Sequence, residues 1–131
     1  MNELFLKLKI ASALAGIVLK GKNIGDFILG KPVQTFERAL AEYTGSKYAF
    51  GGASGTDALI LSLKALNVGP GDEVIVPAAG FYSSAGAVSW VNARPVFVDV
   101  SPKDHNIDVS KIEKAVNPKT KAIVAVHLNG R

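Results

Sequence analysis

Phe50-Gly51-Gly52-Ala53-Ser54-Gly55-Thr56-Asp57-Ala58-Leu59-Ile60-Leu61 joins a short apolar approach, Tyr48-Ala49-Phe50, to an apolar helix through a glycine-rich turn. Gly51, Gly52 and Gly55 carry no Cβ, so the backbone can pass close to another group. The first turn of the helix that follows has unpaired N–H groups and the positive end of the helix dipole. Ser54 and Thr56 add hydroxyls at the same place. Two readings stand: a cradle for a phosphate or another small anion, and a plain helix N-cap supplied by Ser54 or Thr56. Neither G-x-G-x-x-G nor G-x-x-x-x-G-K-[ST] occurs here, so the dinucleotide and P-loop fingerprints do not apply.

Outward from this turn, apolar strands alternate with amphipathic helices. Upstream, the periodicity predicts a helix over Asn2 to Lys20, a short extended piece at Phe27–Gly30, a helix over Val33 to Tyr43 ended by Thr44-Gly45, and a strand over Lys47 to Phe50. Downstream it predicts helices over Thr56 to Leu66, Ser83 to Val91 and Asp108 to Val116. Strands are predicted over Glu73 to Val76, Pro95 to Val100 and Lys121 to His127. Ala58, Leu59, Leu61, Leu63, Ala65 and Leu66 suggest that the helix after the glycine turn is well buried. Gly69-Pro70-Gly71-Asp72 is a turn signal, and Asn92 suits a left-handed helix cap. Uninterrupted apolar strands separated by helices belong to an α/β fold with a mostly parallel sheet covered on both faces. In such sheets ligands lie beyond the carboxyl ends of the strands. The glycine turn, the Phe81-Tyr82 loop and the His127 segment all fall at that edge.

Composition sets bounds. Of 131 residues, 48% are hydrophobic and 20% charged, a globular balance with material for a core. The net charge of +4 is modest, without blocks of like charge or basic residues interleaved with aromatics, so nucleic-acid binding is not indicated. There are no cysteines, which excludes disulfide scaffolds, thiolate zinc sites and cysteine nucleophiles. His105 and His127 stand far apart without a second ligand at metal spacing; structural roles are expected for both, and no metal site. Lys7 and Lys9 interrupt the apolar run from Leu4 to Leu19, unlike the unbroken core of a signal peptide, and no stretch has transmembrane length. A cytoplasmic protein without membrane contact is expected.

An ordered set of motifs resembles one family. It comprises Phe27-Ile28-Leu29-Gly30, Phe36-Glu37, Tyr43-Thr44-Gly45, Ser54-Gly55-Thr56-Asp57-Ala58-Leu59 and Gly69-Pro70-Gly71-Asp72-Glu73-Val74-Ile75, followed by Pro95-Val96-Phe97-Val98-Asp99, Thr120-Lys121-Ala122-Ile123 and Val126-His127-Leu128-Asn129-Gly130. In this order and spacing it resembles the nucleotide-sugar aminotransferases of the DegT/DnrJ/StrS group, pyridoxal-phosphate enzymes with the aspartate aminotransferase fold. The resemblance implies a partial three-layer α/β/α major domain over residues 26–131, preceded by a helical arm over residues 1–25. It implies that Ser54, Gly55 and Thr56 cradle the phosphate of pyridoxal 5'-phosphate and that Phe81 stacks on the pyridine ring. Where the family usually has threonine before that aromatic, this chain has Gly80; Ser84 and Asn92 replace a common threonine and glycine.

The resemblance further implies amino-group transfer from an amino acid, glutamate above all, to a nucleotide-linked keto-sugar, in the service of polysaccharide biosynthesis, by a homodimer. The family's aspartate on the ring nitrogen and its Schiff-base lysine fall beyond Arg131. The chain is therefore expected to be the front part of a longer protein, inactive alone, with no catalytic residue of its own. A sugar dehydratase of the same family and a non-catalytic or regulatory fragment are the alternatives.

Overall fold

The computed structural model describes residues 30–130. The expected arm over residues 1–25 and most of the extended piece at Phe27–Gly30 lie outside the described residues. The chain divides into two compact units between Gly51 and Gly52.

In the first unit, helix α1 spans Lys31–Thr44. Proline early in the first turn suits a helix start, where the missing N–H is no loss. Gly45 ends the helix at φ 69°, and its N–H donates back to the carbonyls of Ala41 and Glu42. The strand expected over Lys47 to Phe50 does not form. A strand needs a hydrogen-bonded neighbour, and among the described residues none pairs with this segment. Tyr48 and Phe50 are exposed and tilt against one another at 6.2 Å.

The second unit is a small α/β sandwich. Helix α2 spans Gly55–Ala65, strand β1 Glu73–Pro77, helix α3 Ser83–Trp90, strand β2 Arg94–Val98, helix α4 Val109–Ala115 and strand β3 Thr120–Ile123, followed by a 3-10 turn at Leu128–Gly130. The strands form one parallel sheet in the order β2-β1-β3, as the alternating pattern predicts. Stepping from β1 to β2 and then back past β1 to β3 reverses the winding. Right-handed crossovers therefore put α3 and α4 on opposite faces. Alternation along β1 agrees: Val74 and Val76 join Leu63, Ala87, Val88 and Val91 in one core, while Ile75 faces the other way. All of β1 is buried, as a central parallel strand must be.

Three expectations need correction. First, β3 ends at Ile123 rather than running to His127. Ile75 still accepts the N–H of Val124 at 2.8 Å. Alternation makes residue 77 the next donor toward β3, and Pro77 has no N–H. Second, β2 ends at Val98; Val100 instead makes an isolated antiparallel bridge with Ile107. Third, α2 is rich in apolar residues but buries only Leu63, while Leu61 and Leu66 remain exposed. Among the described residues one face of this helix is covered, and composition does not reveal which faces find partners. The left-handed cap at Asn92 is present, with φ 59°.

At the carboxyl end of β2, Lys111 on α4 reaches Asp99 at 2.9 Å and Asp108 at 3.4 Å. The ammonium of Lys111 and the N–H of Val100 hold Asp99 below the usual carboxylate range, and Asp99 in turn raises Lys111. A carboxylate depressed on folding contributes stability above its unfolded value, about 3.9, and loses it as pH falls through the lower folded value. The difference in thermal stability between the wild-type chain and Asp99→Asn is thus expected to be present near neutrality, to close as pH drops below that value, and to shrink in salt, since the pair is exposed. A difference that grows in acid would contradict the assignment.

Candidate functional site

Ser54 stands in extended conformation ahead of α2, and its hydroxyl oxygen accepts the N–H of Asp57 at 3.1 Å. Its carbonyl accepts the N–H of Ala58 at 3.0 Å. The cap reading is thus realised. Of the first-turn donors, Asp57 is satisfied by the cap, whereas the N–H groups of Gly55 and Thr56 meet no acceptor among the described residues. The cap therefore leaves the two donors most useful to an anion open. Asp57 also puts a carboxylate in the first turn, where it suits the dipole.

The three glycines differ in use. Gly51 donates its N–H to the Glu37 carboxylate at 2.7 Å, within its own unit, and so is no cradle donor. Sequence spacing gave no sign of this partner, fourteen residues away. A Cβ on Gly52 would make only ordinary contacts with Ser54, Asp57 and Ala58. A Cβ on Gly55 would meet nothing within 4 Å. The open volume above the helix terminus thus begins at Gly55, beside the open N–H groups.

Replacing the cap measures its structural share. Ser54→Ala is expected to cost about 1 kcal/mol of stability, within the range for lost N-caps, and Ser54→Gly only a few tenths. Urea titration of the wild-type chain and the two variants checks this; a Ser54→Ala chain as stable as the wild type would show that the cap contributes nothing.

Phe81 lies in the loop between β1 and α3. As the crossover between parallel strands, α3 runs against them, so its start lies at their carboxyl ends. Leu63 near the end of α2 shares a core with Val88 and Val91 near the end of α3, which aligns the two helices and brings their N-termini to one edge. Phe81 is largely exposed, with its ring centroid 4.5 Å from that of Tyr82. Gly80 before it has φ 155°, a conformation that suits glycine and strains a threonine. Ser84 is buried in the first turn of α3, with its N–H donating to the Phe81 carbonyl at 3.2 Å.

His127 follows β3 and its carbonyl accepts the N–H of Gly130 at 3.1 Å. Next to it, the N–H of Leu128 donates to Asn106 at 3.0 Å, tying this segment to the loop after β2. At the opposite end of the sheet lies an open cleft of about 360 Å³ lined by Glu73, Asn92, Arg94 and Lys119 among others. There Glu73, buried, pairs with Arg94 at 3.2 Å and Asn117 at 2.8 Å. This cleft sits at the amino ends of the strands, away from the glycine turn.

The donor set suits the phosphate end of a pyridoxal cofactor: two open N–H groups, the Thr56 hydroxyl and space above Gly55. Comparison with known proteins points the same way. The chain is 49% identical over 112 residues to a UDP-N-acetyl-3-dehydro-alpha-D-glucosamine 3-aminotransferase of Acidithiobacillus ferrooxidans, covering 84% of this chain and 30% of that one. Among solved structures it is similar to NtdA of Bacillus subtilis with bound cofactor PMP (TM-score 0.87, 36% identity, 100% of this chain and 29% of that one). It is also similar to the PLP form of Spr1654 from Streptococcus pneumoniae (TM-score 0.74, 40% identity, 77% of this chain and 26% of that one). The chain spans about a third or less of the length of these relatives. The parallel α/β sheet, the glycine turn at its carboxyl edge and a match over residues 10–131 agree: the chain belongs to the DegT/DnrJ/EryC1/StrS aminotransferase family.

Proposed function

We propose that this chain carries the phosphate-binding part of a pyridoxal-phosphate site in a sugar aminotransferase. Such an enzyme would move an amino group from an amino acid, glutamate being the donor that the family resemblance implies, to a nucleotide-linked keto-sugar. The observation that carries the reading is the α2 terminus, where Ser54 caps Asp57 and leaves the N–H groups of Gly55 and Thr56 open beneath free space.

Each residue has a task. Gly55 and Thr56 would donate backbone N–H groups to phosphate oxygens, and the Thr56 hydroxyl would add a third donor. Ser54 would hold the turn that aims them. Phe81 would lie against the pyridine ring and fix its plane. Pyridoxal phosphate, when bound, supplies the electron sink for amino transfer. The donor and the nucleotide-sugar would meet the cofactor at the carboxyl edge of the sheet, in a cytoplasmic homodimer.

Pyridoxamine 5'-phosphate is a suitable probe, since its amine cannot condense with surface lysines. The chain is expected to bind it at least about tenfold more tightly than pyridoxamine without the phosphate, a difference of about 1.4 kcal/mol. Equal affinity for both would overturn the reading.

A further inference from the structure

We propose that Tyr82 is a positioning residue that braces the Phe81 ring for the cofactor plane. The inference rests on the reading of Phe81 as the ring-stacking residue. Gly80 precedes Phe81 at φ 155°, so the chain entering Phe81 has glycine's freedom, while the Phe81 carbonyl accepts the Ser84 N–H. Both rings are largely exposed, and what distinguishes Tyr82 is its footing on the helix. Its backbone is already helical, at φ −57° and ψ −24°, as the cap of α3. Its carbonyl accepts the Gly86 N–H at 2.8 Å. One turn on, a Cβ at Gly86 would lie 3.8 Å from Tyr82 Cδ2, so the ring lies over the helix surface at Gly86. From that footing the Tyr82 ring meets the Phe81 ring at 4.5 Å between centroids and 49° between planes, a tilted aromatic contact.

The consequence is preorganisation. A free Phe81 would sample several rotamers, and only one could lie flat against a bound pyridine ring. Tyr82 narrows that choice before the ligand arrives. The phenol hydroxyl takes no part; the ring face does the bracing. In this loop a tyrosine anchored on the helix restores the stiffness that Gly80 removes.

Two measurements on the full chain test this. In the absence of ligand, three-bond couplings across the Phe81 χ1 angle are expected to report one rotamer in the wild type and in Tyr82→Phe, and averaging in Tyr82→Ala. A single rotamer in Tyr82→Ala would overturn the bracing, whatever the ligand does. With pyridoxamine 5'-phosphate, Tyr82→Ala is expected to bind about three- to tenfold more weakly, the equivalent of about 0.7–1.4 kcal/mol. The circular-dichroism band of the bound pyridine is expected to collapse with it, and Tyr82→Phe to keep both. Unchanged affinity and dichroism in Tyr82→Ala, where Phe81→Ala weakens binding, would overturn the positioning role alone. Unchanged binding in Phe81→Ala would instead overturn the stacking reading on which that role rests.

Discussion

Gly55→Asp is expected to abolish phosphate binding while leaving the chain as stable as before or slightly more so. The two effects have opposite signs because they act on the same terminus. A carboxylate at the first position of α2 sits at the positive end of the helix dipole, which favours it by about 0.3–1 kcal/mol. That gain adds to the small difference in helix propensity between glycine and aspartate. A new side chain at Gly55 meets no atom within 4 Å, so it adds no clash. Yet it enters the volume a phosphate would occupy and brings a negative charge beside the open N–H groups of Gly55 and Thr56. Repulsion of an anion at about 4 Å, at an effective dielectric near 20, is about 4 kcal/mol per unit charge. Affinity for pyridoxamine 5'-phosphate should fall by about a hundredfold or more, with affinity for pyridoxamine unchanged. Equal loss for both ligands would mean that Gly55 shapes the site without meeting the phosphate. A fall in thermal stability beyond about 1 kcal/mol would mean that the terminus is packed rather than open.

Local chemistry was readable from the chain. The turn at Gly69–Asp72 closes as its residues demand, with the Asp72 carboxylate accepting the Gly69 N–H at 3.0 Å and Gly71 at φ 90°. Gly45 and Asn92 take left-handed backbone at helix ends, and Ser54 caps a helix start with its side chain. The parallel sheet followed from strands without alternation. What escaped was non-local. The segment Lys47 to Phe50 has strand composition, but a strand is a property of a pair. The length of β3 depended on a proline in β1, 46 residues from Ile123 (123 − 77 = 46), through the direction of one missing N–H. At the glycine turn, the cradle and cap readings proved compatible. One serine oxygen satisfies Asp57 and leaves the two preceding donors open. The Tyr82 contact had a faint signal, a glycine four residues after an aromatic, which gains meaning only once a helix starts there.

Ile75→Ala should destabilise the chain by about 2–5 kcal/mol, the span for a buried isoleucine truncated without room to relax. Ile75 is fully buried in the central strand. Ile123 is its register partner on β3, the same residue type on the same face of the same sheet, but 47% exposed. Truncating Ile123 removes the same atoms from a place where water already covers about half of them, and leaves no enclosed void. Its cost should be no more than about half that of Ile75→Ala, at about 25 cal/mol for each Å² returned to water. Urea unfolding of both variants at low protein concentration measures the pair. A ratio near one would show that Ile123 is covered in solution. Repeating the titration at higher concentration then identifies the cover: a second copy of the chain makes the Ile123→Ala penalty rise with concentration, whereas a segment of the same chain leaves it unchanged.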